Sequence, residues 1–183
     1  MIPRKHKKLW ILVGLIIMVG LVYLVVKNLR DIELIVNKAG WAAPVVVVIL
    51  YGLFALTPIS TDPLTIVSGA FFGPLGGIVV SWLGNNIAAT VEYYFGRHID
   101  KITNFKESKK HLPFGLSRLR VSSPWFLIFG RLIPGYGGKV ISVMGGMYHV
   151  PFRRYLWTTL LVNLCGSLLL TLGGYHLIHL LKF

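Results

Sequence analysis

Long apolar blocks, separated by short polar and basic segments, make up most of this chain. Leu9 to Val26 is apolar and unbroken, about long enough to cross a bilayer. A basic head precedes it (Arg4, Lys5, Lys7, Lys8), and Lys27, Asn28, Arg30 and Asp31 follow without a small-residue cleavage pattern. The expectation is an uncleaved first span with its N-terminus in the cytoplasm. Residues 1–43 then form one unit, with 27–43 a short amphipathic linker, and 44–183 form the membrane domain. The second block, 44–72, is broken near its middle. Pro58–Gly77 brings together prolines 58, 63 and 74, glycines 69, 73, 76 and 77, and Asp62. Proline removes a backbone donor and clashes with the preceding turn, so a continuous helix is not expected there. In hydrocarbon every backbone polar group needs a partner within the protein, so a broken segment at that depth lines a cavity or packs in protein.

Charge decides how the broken blocks are threaded. The loop 97–122 carries Arg97, Lys101, Lys106, Lys109, Lys110, Arg118 and Arg120 against Asp100 and Glu107. The positive-inside rule puts it in the cytoplasm with the N-terminus. Both conditions hold if 44–72 enters and leaves from the outer side as a re-entrant hairpin, and 76–95 then spans inward. Each leg would have about 13 residues, roughly 20 Å as helix. The block 124–150 repeats the pattern from the cytoplasmic side, again with a Pro-Gly-rich centre, and 155–177 spans outward. Gly69, Pro74, Asn86 and Gly96 shifted by 77 fall on Gly146, Pro151, Asn163 and Gly173, and Pro58 falls one residue from Pro134. The expected fold is therefore an all-α integral membrane protein: an inverted repeat of re-entrant helical hairpin plus transmembrane helix, preceded by one N-terminal transmembrane helix. Transporter folds of that type place substrate near the midplane, between broken segments.

Composition agrees. Of 183 residues 55% are hydrophobic, and mean hydropathy is +0.69. The net charge of +13 would suggest nucleic acid in a soluble protein. Here the bases flank apolar segments, as expected for faces meeting anionic lipid, and no nucleic-acid-binding module is present. The single cysteine, Cys165, allows no disulfide framework.

Few polar residues interrupt the apolar blocks, and each carries two readings. Asp62 is an ionisable group in an apolar block, hence a candidate for proton coupling or gating. Within Ser60-Thr61-Asp62-Pro63 it equally suits a helix N-terminus. Glu92 is a second candidate proton carrier, or an interfacial partner of Arg97 or His98. Arg131 sits inside the second broken block and needs a partner; its planar fork suits a carboxylate or a phosphate, with Asp62, Glu92 or a lipid phosphate as candidates. The bland reading is a snorkelling interface residue. Lys139 is a weaker candidate of the same type. Gly135, Gly137, Gly138, Gly145 and Gly146 permit close backbone approach, for a substrate or for helix packing. Asn86 and Asn163 suit hydrogen bonding between helices. His149 reads as interfacial. His176 and His179 lack the further ligands a metal site needs. No nucleophile elbow, phosphate-binding glycine loop or zinc spacing is found, so an enzyme is disfavoured and no cofactor is expected.

At these residues the chain resembles the DedA / SNARE-associated Golgi protein (VTT-domain) superfamily over roughly residues 40–178, nearest its Tvp-like bacterial members. PISTDPLTIVSGAFFG is similar to the family's proline-rich motif, with Pro58, Asp62 and Gly69 at the family's spacing. EYYFGR, GRLIPG, GGMYHVPFRRY and Asn163 resemble its later motifs. Position 62 is aspartate where the family most often has glutamate. Position 137 is glycine where many members carry a second arginine, and Lys139 is the nearest base. The family's acid before the aromatic-Gly-Arg end falls on Ala89, with Glu92 close by. The resemblance implies two facing re-entrant hairpins and movement of lipid between leaflets. Undecaprenyl phosphate and phospholipids are the implied cargo, with protons as coupling ion and a bacterial plasma membrane as the location. Arg131 and Lys139 would hold the phosphate; Asp62, with Glu92, would gate. Pro58, Gly69, Pro134, Gly135, Gly145 and Gly146 would shape the hairpins. Alternatives are a small-solute or ion transporter and a non-transporting membrane scaffold. Whether the chain forms a homo-oligomer is left open.

Overall fold

The computed structural model describes Leu34 and residues 38–57, 60–99, 120–133 and 137–181. The expected first span at 9–26, most of the basic loop, and Pro58, Pro134 and Gly135 lie outside the described residues. By internal packing the chain divides into Met1–Val45 and Val46–Phe183. The contacts and the site described below belong to the second unit.

Five helices and no strand are found among the described residues: α1 Ala42–Ala55, α2 Asp62–Ile99, α3 Pro124–Arg131, α4 Gly137–Met147 and α5 Phe152–Leu181. The described residues are thus all-helical, as the apolar blocks imply. The block 44–72 is divided between α1 and the start of α2. The first helix closes on tight turns, Leu56 N–H to Leu53 O at 3.2 Å and Thr57 N–H to Phe54 O at 3.0 Å. The second begins at Asp62, with Thr65 N–H donating to Thr61 O at 3.1 Å. Proline in its first turn costs nothing, because that N–H has no partner within a helix.

Inside α2 the helix is broken at Gly73, whose φ of 71° and ψ of −177° lie outside the helical region. Glycine adopts that backbone without the penalty a Cβ brings, and Pro74 then starts a new helical run. From Pro74 to Ile99 this run is about 39 Å long. The second half has a corresponding break between α3 and α4, and a corresponding turn after α4. There Val150 N–H donates to Gly145 O and His149 N–H to Gly146 O, both at 3.0 Å, and His149 has φ 50°. This is a Schellman closure, made with histidine in place of the usual glycine. Pro151 follows it and α5 begins.

Length and apolarity let two helical runs cross a bilayer, Asp62–Ile99 and Phe152–His176. The distribution of side chains fits a lipid solvent. Leu75 and Leu169 are 81% and 75% exposed, whereas Thr65, Ser81, Ser142, Thr158 and Thr171 are fully buried. Apolar groups face outward and hydroxyls inward. Buried hydroxyls of this type satisfy helix carbonyls one turn back, as Ser68 does with Leu64 O at 2.7 Å and Ser142 with Gly138 O at 2.8 Å.

The bundle is held by unusually close helix approaches. A methyl group at Gly69 would stand 2.1 Å from Thr171 O, and one at Gly174 would stand 2.2 Å from Ile66 O. These two contacts seat the first turns of α2 on α5. A methyl group at Gly96 would stand 2.1 Å from Val143 O, and one at Gly146 would stand 1.9 Å from Tyr93 O. These seat α4 on the far end of α2. Between the two seats the long helices meet through Asn163, whose Nδ2 donates to Asn86 Oδ1 at 3.1 Å. Trp82 Nε1 donates to Leu160 O at 3.0 Å beside it. An aromatic core of Tyr93, Phe126, Phe152 and Tyr155 fills the end near α3 and α4, with Tyr93 and Tyr155 ring centroids 4.6 Å apart.

Candidate functional site

Two polar groups lie inside this apolar bundle. The first gathers at the start of α2. Thr61 Oγ1 donates to Asn85 Oδ1 at 2.8 Å, Asn85 Nδ2 donates to Thr65 Oγ1 at 3.1 Å, and the Tyr51 hydroxyl bonds Thr65 Oγ1 at 3.0 Å. Asp62 stands at the edge of this set. Its N–H donates to Ser60 Oγ at 3.3 Å, so the local Ser-Thr-Asp-Pro order does start the helix. The capping contact is thus made by the Ser60 hydroxyl, with Asp62 as the first residue of the helix. Asp62 is partly buried and makes no ion pair among the described residues.

The second group lies where α2, α4 and α5 meet. Arg131, the last residue of α3, is only 8% exposed. Its Nη2 donates to Ser142 Oγ and to the Tyr155 hydroxyl, both at 2.9 Å, and its guanidinium carbon lies 5.2 Å from the Tyr155 ring centroid. Tyr155 in turn donates to Ala89 O at 2.6 Å. The fork is thus fixed from α4 and α5 together, while its Nε is buried without a partner. The guanidinium is thus a buried cation bonded to neutral hydroxyls, with one N–H donor to spare.

Lys139 and Glu92 complete this group. Lys139 Nζ lies 3.7 Å from Glu92 Oε1. It also donates to Phe54 O at 3.1 Å and to Thr57 O, at the frayed end of α1. One ammonium therefore joins α4, the carboxylate of α2 and the exposed carbonyls of the first break. Glu92 is 6% exposed and its partner is Lys139, so the interfacial pairing with Arg97 or His98 is not what the fold gives it. The reason is helical phase: Glu92 and Tyr93 face α4, whereas Arg97 and His98 lie exposed. Arg131, in turn, bonds hydroxyls rather than either carboxylate.

A family model of the VTT domain matches residues 57–176. The chain belongs to the VTT-domain family. The match takes in Asp62, Glu92, Arg131 and Lys139, all of α2, α3 and α4, and α5 as far as His176. This VTT domain is a membrane protein of the DedA / SNARE-associated Golgi protein class. No curated protein and no solved structure matches the chain.

Of the residues singled out from the sequence, the VTT domain brings Glu92, Arg131 and Lys139 together and leaves Asp62 with the hydroxyl group at the first break. Gly69, Gly145 and Gly146 are backbone or ring contacts of helices. Asn86 and Asn163 bond each other. Ser142 and Tyr155, which aim Arg131, were not legible. The only available signal was that polar residues recur on one side of otherwise apolar helices, and serine and tyrosine are too common for that to single them out.

Proposed function

We propose that this VTT domain moves a phosphate-bearing lipid, an undecaprenyl phosphate or a phospholipid, between leaflets. The observation that carries the reading is the buried, hydroxyl-mounted Arg131 with its unpartnered Nε. With Glu92 ionised, Arg131, Lys139 and Glu92 leave one positive charge in excess inside the bundle, which a phosphate oxygen neutralises. The acyl chains stay in lipid while the headgroup crosses along the polar interior. Asp62 and Glu92 are the groups able to couple that movement to protons.

An inverted repeat of two re-entrant hairpins is part of the proposal. Its support lies in four close contacts. The pair Ile66–Gly174 and Gly69–Thr171 maps onto Val143–Gly96 and Gly146–Tyr93 when each half is shifted by 77 or 78 residues. Asn86 and Asn163, 77 apart, meet each other, as counterparts at a two-fold axis do. In each half a residue of positive φ, Gly73 or His149, precedes the proline that opens the long helix. Labelling single cysteines at positions 74 and 108 from either side tests the topology, because re-entrant hairpins put the two on opposite faces.

Headgroup translocation in proteoliposomes is the deciding measurement. Arg131→Ala and Asp62→Asn should lose most of the rate while staying folded. Parental rates in both would remove the site assignment. Solute flux without headgroup movement would point instead to a small-solute or ion transporter.

A further inference from the structure

One pair of equivalent positions is charged in both halves. Asp62 and Lys139 stand 77 residues apart, each in the first turn of the helix that follows a break. They carry opposite charge. Lys139 crosses from its own half to the carbonyls of Phe54 and Thr57 at the break of the other half. At the same offset, the Phe54–Thr57 segment corresponds to Arg131–Pro134. The equivalent crossing would take Asp62 to the end of α3, where Arg131 stands. That crossing is not made here: the described residues contain no ion pair between Asp62 and Arg131. One of two equivalent contacts is closed and the other is open.

The chemistry at the open crossing is matched. Arg131 is a buried cation bonded to neutral hydroxyls, with Nε unpartnered. A carboxylate would satisfy that donor with a charge-assisted hydrogen bond. Inverted repeats change state by exchanging the conformations of their halves around a fixed site. A contact made by one half in one state is then made by the other half in the next.

We propose a second conformation, in which Asp62 crosses to the end of α3 and pairs with Arg131 while Lys139 releases the carbonyls of Phe54 and Thr57. It rests on the inverted-repeat reading above. The two crossings are alternatives, so Lys139 and Asp62 act as opposite ends of one switch. In the second state Asp62 competes with a phosphate for Arg131, which makes that state the releasing one.

The test uses the full chain with Cys165→Ser, in phospholipid nanodiscs, and two spin-label pairs read by double electron–electron resonance. Labels at Ser60→Cys and Leu132→Cys flank the open crossing. Labels at Leu56→Cys and Val140→Cys flank the closed one. We expect two distance populations for each pair, with the short 60–132 population rising as the short 56–140 population falls. Lys139→Gln should raise the short 60–132 fraction at least twofold, Asp62→Asn should remove it, and Asp62→Glu should restore it. A single 60–132 distance, or a short fraction that Asp62→Asn leaves unchanged, overturns the proposal. Lipid translocation by the unlabelled protein is measured alongside. Transport without the distance exchange defeats the switch alone, and exchange without transport defeats only the lipid reading.

Discussion

Adding one methyl group at Gly146 tests the fold at its tightest point. The new Cβ would stand 1.9 Å from Tyr93 O and 2.8 Å from Arg97 N, both backbone atoms that no rotamer change can move. A carbon–oxygen contact settles at roughly 3.3 Å or more, so α4 and α2 must part by about 1.4 Å. Forced expansion of a packed core costs about 1–3 kcal/mol, against about 1 kcal/mol gained by alanine over glycine in a helix. Gly166 and Gly173 provide internal controls, because a methyl group there meets nothing within 4 Å. They gain the propensity term with no packing penalty. Gly146→Ala should therefore melt below Gly166→Ala by about 2–12 °C, taking the packing cost alone and about 2–4 °C per kcal/mol for a chain of this size. Gly69→Ala, 2.1 Å from Thr171 O, should behave like Gly146→Ala. Thermal unfolding in nanodiscs, followed by tryptophan fluorescence, reads the difference. If Gly146→Ala and Gly69→Ala melt level with Gly166→Ala, the close helix seats are wrong and the repeat loses its main support.

Three further outcomes follow from the polar groups. Tyr155→Phe removes the hydroxyl that receives Arg131 and donates to Ala89 O, leaving a buried donor and acceptor unsatisfied at about 1–3 kcal/mol; a lowered melting point together with slowed translocation is expected, and an unchanged melting point would deny the mount. Lys139→Met strands Glu92, which is 7% exposed at its side chain, and should cost about 2–4 kcal/mol. Adding Glu92→Gln should recover most of it in a double-mutant cycle, and additive losses would mean the two do not pair. Arg131→Lys keeps the charge but cannot fork between Ser142 and Tyr155, so translocation should fall at least tenfold with the fold intact by size-exclusion chromatography.

The positions of the helix breaks were legible because proline acts locally. The break in 44–72 falls between Ala55 and Asp62, where Pro58 and Pro63 point, and the break in 124–150 falls between Arg131 and Gly137. The long helix of the first half continues to Ile99 rather than ending at 95, since Gly96 is a packing position and not a stop. The contact between Asn86 and Asn163 agrees with the offset of 77 read from the sequence, but at the far end the offset slips by one residue. Gly96 aligns by offset 77 with Gly173, yet Gly174 makes the equivalent close contact, to Ile66. Two adjacent glycines cannot be told apart in sequence when only one faces a neighbour. The partner of Glu92 was likewise hidden, because Arg97 and His98 are near in sequence whereas Lys139 is near only in space.

In the proposed inverted repeat the hydrogen bond between Asn86 and Asn163 joins two counterparts, so the proposed exchange of the halves would carry it onto itself. It would need only a reversal of donor and acceptor, Asn163 giving to Asn86 at present and receiving afterwards. On that reading it is a fulcrum: the point at which the molecule can be pinned without being stopped. A disulfide between Asn86→Cys and Asn163→Cys should leave a working protein, whereas one across either glycine seat should lock it.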